Sequence, residues 1–312
     1  MIGITFKYIA PVVFLIILGF FAGHKQFISA EGAKNFSTYV VNFALPCTLF
    51  TGIFSFSEAQ LENFPFVITI LLPLVSTFLI GALFGFFVMK KSVPETGLFA
   101  CNCGYPDMAY FGLPILTTII GTQGLLPVII GNLVTSILVV PCVIFMIHHG
   151  PTESNDKADP SSLKTTILHT MMQPVVWAPI AGLILVLMHI NIPSMVLAPF
   201  KLIGNSTGAV ALFTLGVLLS HIRLRVDLSA IVVVVLKNFL MPLIAFLISR
   251  FFHLEGQLAR GAIITVACPS ATFGAMLSAK YKIGQNTIPA EIFASNIAGI
   301  FSMGIWLYVT GL

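Results

Sequence analysis

Long apolar segments recur along the whole chain of 312 residues and constrain its fold more than any other feature. A helix needs about 20 apolar residues to cross the hydrocarbon core of a membrane. Only 8% of the residues are charged, against about 25% in an average globular domain. The sequence therefore predicts an all-α polytopic membrane protein, with no basic run long enough to bind nucleic acid. The ten predicted spans are residues 4–23, 36–55, 64–89, 97–120, 124–147, 168–189, 197–220, 228–251, 258–279 and 288–311.

Lysine and arginine concentrate in the odd-numbered loops, those that follow the first, third, fifth, seventh and ninth spans. Ten of the 15 basic residues lie there, two in each loop. Because cytoplasmic loops carry the excess of Lys and Arg, we expect the odd loops inside and both termini outside. The polar stretch 149–164 is then a cytoplasmic loop. This places the chain in a plasma membrane, the inner membrane in a bacterium.

The loop at 149–164 divides the spans into five and five, and motifs correspond between the two halves. The offsets are 163, 167 and 164 residues (174 minus 11, 267 minus 100, 296 minus 132). An odd number of spans in each half inverts one half relative to the other, so we expect two inverted five-helix repeats, 1–148 and 165–312. The matching pairs are Pro-Val-Val at 11–13 and 174–176, Ala-Cys at 100–101 and 267–268, and Asn132 and Asn296.

The fourth and ninth spans carry proline and glycine near their centres, at Pro106 with Gly104 and Gly112, and at Pro269 with Gly274. A single proline is often only a kink, but irregular backbone at membrane depth needs protein or a water-filled cavity to satisfy it. Interrupted helices at corresponding places in inverted repeats are typical of secondary transporters. We therefore predict that helices 4 and 9 are broken and cross at a binding site, where half-helix N-termini can hold an anion.

Two ionisable residues, Asp107 and Lys237, lie well inside predicted spans. An ionisable side chain at that depth costs roughly 2.5–3.5 kcal/mol on insertion scales, so each is a candidate functional residue. Lys237 either pairs with Asp107, helps to bind substrate, or is structural, reaching an interface or capping carbonyls. Glu291 and Arg260 lie near span ends, where we expect the membrane interface.

Uncharged polar residues near the two breaks are weaker candidates for substrate contact. Each of them could equally form a hydrogen bond between helices, worth about 1 kcal/mol. These candidates are Asn132, Ser136, Ser270, Thr272 and Asn296.

Several segments, in order along nearly the whole chain, resemble the auxin efflux carrier family, which includes bacterial malonate-transporter-like proteins and plant auxin carriers. The segment 106-PDMAYFGLPI-115 is similar to the family's Pro-Asn-Thr motif with its following Gly-Ile/Leu-Pro, and 269-PSATFGAMLSAKY-281 to the ninth-span segment. The resemblance implies ten helices in two inverted repeats that cross at Pro106 and Pro269, with substrate beside the crossing. It also implies small organic anions as substrates, and places Ser136 where the plant carriers have a polar residue near substrate.

Asp107 departs from the family pattern, which has Asn after the fourth-span proline. An ionised carboxylate would repel an anionic substrate. Three interpretations stay open: Asp107 is protonated and couples transport to protons, it binds Na⁺ together with carbonyls of the broken helix, or the substrate is not a simple anion.

The function that follows is secondary transport of monocarboxylates or dicarboxylates, such as malonate or malate, by alternating access. The alternatives are a sodium-coupled carrier of bulkier amphipathic acids, similar to the bile acid symporters, and a transporter-derived channel or receptor. An enzyme is disfavoured because the histidines fall at span ends or in loops, and Cys101 and Cys103 lack the spacing of a zinc site. We expect no cofactor beyond a coupling H⁺ or Na⁺, and both a monomer and a homodimer stay open.

Overall fold

The computed structural model describes residues 2–56, 63–149, 172–190, 192–221 and 227–311, with side chains from residue 10 onward. Apart from one isolated β-bridge, the regular structure in these ranges is helical. The predicted all-α class is confirmed. Most of the loop 149–164, the start of the sixth span (168–171), and Arg223 and Arg225 lie outside the described residues.

Thirteen helices form within the described ranges, several of them interrupted by a π-helical turn. Those of the first half are α1 (Ile2–His24), α2 (Ala30–Ile53), α3 (Phe64–Val88), α4 (Val93–Gly104), α5 (108–120) and α6 (125–148). Those of the second half are α7 (Pro174–Leu187), α8 (Ser194–Gly204), α9 (Thr207–Ser220), α10 (Leu228–Phe251), α11 (Gly256–Ala267), α12 (Phe273–Tyr281) and α13 (Thr287–Val309).

Six helical stretches are long and apolar enough to cross a membrane, judged by length and composition among the described residues. One of them, Met108–His148, has 41 residues and includes a turn between α5 and α6. Gly121 has a φ of 63° there, which a glycine adopts without strain. A Cβ on Gly124 would lie 2.6 Å from the Leu116 carbonyl carbon, so only glycine lets the two helices approach this closely.

Large apolar side chains are exposed on the outer faces of the long helices. Phe87 is 68% exposed and Phe301 is 72% exposed, for example. Soluble monomers rarely expose contiguous apolar surface of this kind, whereas lipid accommodates it. The helices and their apolar exterior together indicate a multi-pass membrane protein.

The breaks predicted at Pro106 and Pro269 are confirmed. In the predicted fourth span, the first helix, α4, ends at Gly104, and the second helix, α5, begins at Met108. In the predicted ninth span, α11 ends at Ala267 and α12 begins at Phe273. Proline accounts for both interruptions, because it lacks the N–H that would continue the helix.

The two breaks meet, and each satisfies the backbone of the other. Pro106 and Ser270 form an antiparallel bridge. The Asp107 N–H donates to the Pro269 carbonyl at 2.7 Å, and the Ala271 N–H donates to the Tyr105 carbonyl at 2.9 Å. We call this contact, residues 105–107 against 269–271, the crossing. Its hydrogen bonds pair backbone groups that would otherwise have no partner inside a membrane.

Candidate functional site

A cavity of about 290 Å³ lies against the crossing. Side chains from α2, α5, α6, α7 and α12 line it, together with residues of the two breaks. Apolar groups form much of the wall, including Val41, Leu45, Val140, Val175 and Met276. The polar side chains of the wall are Lys34, Ser37, Thr38, Asn42, Tyr105, Asp107, Tyr110, Asn132, Ser136, Gln173 and Thr272.

Asp107 is the acidic residue of this lining and is 2% exposed. It is the N-cap of α5, where its Oδ1 accepts a hydrogen bond from the Tyr110 N–H at 3.0 Å. Its other oxygen, Oδ2, is buried and has no hydrogen-bond partner. The free N–H groups of a helix N-terminus stabilise a carboxylate in this position. The crossing therefore presents one capped and one unpartnered carboxyl oxygen beside the cavity.

Five of the residues singled out from the sequence line the cavity, and four do not. The lining residues are Pro106, Asp107, Asn132, Ser136 and Thr272. Asn132 also donates to the Val175 carbonyl at 3.3 Å, which ties α6 to α7. The residues away from the cavity wall are Pro269, Ser270, Asn296 and Lys237.

Lys237 is 0% exposed and lies behind the crossing. Its ammonium donates to the carbonyls of Val266 at 2.8 Å and Cys268 at 2.5 Å, at the C-terminal end of α11. A cation is favourable there because the carbonyls that end a helix have no partner within it and carry the negative end of the dipole. Among the described residues Lys237 forms no ion pair with Asp107 within 4 Å. Of the three arrangements left open by the sequence, the structure shows carbonyl capping.

Asn296 and Ser270 belong to the same set of buried hydrogen bonds. Asn296 donates to the Ser270 carbonyl at 3.1 Å, and the Ser270 N–H donates to the Ser295 hydroxyl at 3.0 Å. Ser295 in turn donates to Asn238 at 2.7 Å. We call Lys237, Asn238, Ser270, Ser295 and Asn296 the back network. It fixes the break of the ninth span to α10 and α13.

Comparison with known proteins identifies the family of this chain. Residues 4–307 match the model of the membrane transport protein family, the family of the auxin efflux carriers. The chain belongs to this family. It is 26% identical over 306 residues to YfdV, an uncharacterized transporter of Escherichia coli K12, a match that covers 97% of this chain and 96% of the relative. It is 22% identical over 308 residues to an uncharacterized transporter of Methanocaldococcus jannaschii, covering 96% of each chain.

Family membership makes the chain a membrane transporter and not an enzyme. The resemblance read from the sequence motifs is therefore confirmed at the level of the family. A transporter needs a site that its substrate can reach, and the cavity beside the crossing is the candidate for it among the described residues.

Glu291 is enclosed by protein. We expected it near the membrane interface because it lies near a span end, and the structure shows a side chain that is 0% exposed. Its carboxylate accepts hydrogen bonds from Asn102 at 2.8 Å and from the Ser229 hydroxyl, and lies 3.7 Å from the Lys91 ammonium. Because Lys91, Asn102 and Ser229 come from three different parts of the chain, Glu291 joins them beneath the transporter's surface.

Sequence reasoning also missed the polar face of α2. Lys34, Ser37, Thr38 and Asn42 line the cavity at spacings of three, four and eight residues, which places them on one side of a helix. That periodicity could have identified the face. The candidates for substrate contact lay instead near the two breaks. α2 has an irregularity of its own, a π-helical turn at Val40–Ala44. Such turns are frequent at functional sites because they redirect side chains.

Proposed function

We propose that this protein is a secondary transporter of small organic anions, monocarboxylates or dicarboxylates such as malonate or malate, that works by alternating access. The observation that carries the proposal is the cavity at the meeting point of two broken helices, Pro106 in one half and Pro269 in the other. Transporters with inverted repeats bind substrate at such breaks. In this proposal ten spans form two inverted five-helix repeats, 1–148 and 165–312.

The cavity's accessible end supports an inward-facing state. The exposed members of its wall, Lys34, Thr38 and Met276, flank the first and ninth loops. The buried members, such as Asp107, lie at its other end. Because the odd loops carry the excess of positive charge, we infer that they, with the loop 149–164, are cytoplasmic. Both termini would then be outside, in the plasma membrane, which is the inner membrane in a bacterium.

The size of the cavity favours small substrates over bulky amphipathic acids. Ligand cavities usually range over about 300–1,000 Å³, and this one, at about 290 Å³, is near the lower end of that range. Hydroxyl and amide groups of Ser136, Asn132 and Thr272 would contact the substrate. Pro269, Ser270 and Asn296 would shape the crossing, and Lys237 would balance charge behind it.

Asp107 is the proposed coupling residue, through a proton or a sodium ion. Its unpartnered Oδ2 is available to either ion. Replacing Asp107 with Ala should leave expression intact and remove the stimulation of uptake by an imposed ion gradient. Wild-type stimulation in Asp107→Ala would exclude the residue from coupling.

Uptake into liposomes that contain the purified protein tests the function directly. Radiolabelled malonate, malate and an aromatic acid would be supplied under an inward proton gradient and, separately, an inward sodium gradient. We expect saturable uptake of at least one carboxylate, accelerated by one of the two gradients. Empty liposomes give the background. Absence of uptake of every carboxylate under both gradients would contradict the proposal.

A further inference from the structure

We infer that the preferred substrates of this transporter are zwitterions, small amino acids whose ammonium group contacts Asp107 and whose carboxylate faces the end of the cavity near Lys34. The inference rests on the proposed function, transport of carboxylates at the crossing, and narrows the preferred substrates from simple carboxylates to those that also carry an ammonium group. Three features of the cavity support it: an unpartnered oxygen, a carboxyl group without an ion pair and a cation at the opposite end.

The unpartnered oxygen is Oδ2 of Asp107. Oδ1 already accepts from the Tyr110 N–H, while Oδ2 is buried beside the cavity with no partner in the protein. A buried polar atom without a hydrogen bond costs about 1–3 kcal/mol, and more when it is charged. In this inference the substrate supplies the missing donor, because Asp107, unlike the other residues with an unpartnered buried oxygen, lines the cavity. An ammonium group supplies up to three N–H donors.

Among the described residues, the Asp107 carboxyl forms no ion pair within 4 Å. Its place at the N-terminus of α5 stabilises the carboxylate form. The cation behind the crossing, Lys237, directs its hydrogen bonds at the carbonyls of Val266 and Cys268 instead. A simple dicarboxylate bound here would bring a second negative charge next to the first, which is unfavourable in a site of low dielectric constant. A substrate with its own ammonium turns that repulsion into attraction.

The cation at the other end is Lys34, the one basic residue in the described lining of the cavity. Its side chain is exposed, whereas Asp107 is 2% exposed, so the two charges occupy the outer and inner ends. In an α-amino acid the two charged groups are bonded to the same carbon, so the ammonium can contact Asp107 while the carboxylate faces the end of the cavity near Lys34. The apolar wall between them, which includes Val41, Leu45 and Val175, would receive an aliphatic side chain.

Matched pairs of substrates that differ by one ammonium group test the inference in the full-length protein. The pairs are alanine and propionate, leucine and 4-methylpentanoate, and aspartate and succinate. Uptake into liposomes would be measured for each member, with and without sodium. We expect the wild-type protein to transport the amino member at least about tenfold faster in kcat/KM, which corresponds to about 1.4 kcal/mol.

Asp107→Asn is the decisive variant, because the amide keeps the size of the side chain and an oxygen that can cap α5. We expect it to lose the preference for the amino member of each pair, with a ratio near one or reversed. Lys34→Gln should raise KM for both members of a pair and leave their ratio within about twofold. Lys25→Gln is the matched control, because Lys25 is exposed and does not line the cavity. It should change neither KM nor the ratio between the members of a pair.

A binding measurement on the wild-type protein keeps the inference testable if Asp107→Asn does not fold. Amino acids should raise the thermal unfolding temperature of the detergent-solubilised protein, and their deaminated partners at the same concentration should not. Equal or faster uptake of simple acids, or an unchanged preference in Asp107→Asn, would overturn the inference and leave the proposed function standing. Absence of uptake for both members of every pair would overturn both.

Discussion

The two sides of the crossing differ in what their ionisable groups contact. Behind the crossing, the back network pairs the Lys237 ammonium, the Ser270 N–H and the Asn238 side chain with partners on neighbouring helices. On the cavity side, the Oδ2 of Asp107 is buried without a partner. A polar group without a partner is costly in a membrane protein. Among the described residues, buried oxygens without a partner also occur at Asn102, Thr265 and Asn296, but Asp107 is the one carboxyl group among them and the one that lines the cavity.

This difference assigns structural support to the back network and substrate binding to the cavity side of the crossing. The back network holds the break of the ninth span against α10 and α13, so the backbone at the crossing has a defined shape before substrate arrives. Preorganised sites bind more tightly because less ordering is left to do. Packing adds to this rigidity: a Cβ on Gly299 would lie 2.8 Å from the Cβ of Pro269. Changes behind the crossing should therefore reduce stability, and changes beside the cavity should reduce transport.

The largest effect is expected from Lys237→Met. Methionine fills similar space but leaves the carbonyls of Val266 and Cys268 without a donor. Each such buried acceptor costs about 1–3 kcal/mol, so the free energy of unfolding should fall by about 2–6 kcal/mol. Thermal unfolding in detergent measures the change. Lys201→Met, at an exposed lysine, should stay within about 0.5 kcal/mol of wild type.

A melting temperature of Lys237→Met equal to that of wild type would contradict the supporting role of the back network. Loss of uptake in a variant that melts normally would instead make Lys237 a binding residue.

A smaller loss of stability is expected from Glu291→Ala. The change removes the acceptor for Asn102 and Ser229 and separates Lys91 from its partner. We expect about 2–3 kcal/mol, less than for a fully enclosed ion pair, because Lys91 is 15% exposed and can be rehydrated. Glu255→Ala, at an exposed N-cap whose side chain makes no capping hydrogen bond, is the control. Equal melting temperatures for the two variants would show that the Glu291 contacts do not stabilise the fold.

The smallest effect on stability, and a clear effect on transport, is expected from Ser136→Ala. Ser136 lines the cavity, so its hydroxyl is available to substrate. Loss of one hydrogen bond of about 0.5–1.5 kcal/mol should raise KM by about 2–12-fold and change stability by less than about 0.5 kcal/mol. Uptake kinetics and thermal unfolding measure the two quantities. Ser76→Ala, whose hydroxyl bonds within α3, should leave KM unchanged, and an equal KM in both variants would exclude a substrate contact at Ser136.

Local features of the sequence predicted the breaks correctly. Pro106 and Pro269 each lack the N–H donor that would continue a helix, and their corresponding places in the two halves distinguished them from prolines that a helix accommodates, such as Pro73 in α3. The membrane class followed in the same way, from the length and apolarity of the segments. These predictions depended on properties that each segment has on its own.

Predictions that depended on neighbouring helices were less complete. Glu291 was placed at an interface because it lies near a span end, yet Ser229, Asn102 and Lys91 converge on it from distant parts of the chain. The polar face of α2 around Lys34 was not connected with the cavity, because nothing near Lys34 in the sequence indicates that Asp107 is close in space.

The sequence by itself determined that this protein lies in a membrane and where its helices are broken, because hydrophobic length and proline act locally. Motifs along the chain determined its membership of a transporter family. Only the tertiary structure decided that Lys237 caps the carbonyls of Val266 and Cys268. It likewise decided that one oxygen of Asp107 is buried without a hydrogen-bond partner at a residue that lines the cavity. The physical reason is that the role of a buried polar group depends on its hydrogen-bond partners, and those partners lie on other helices.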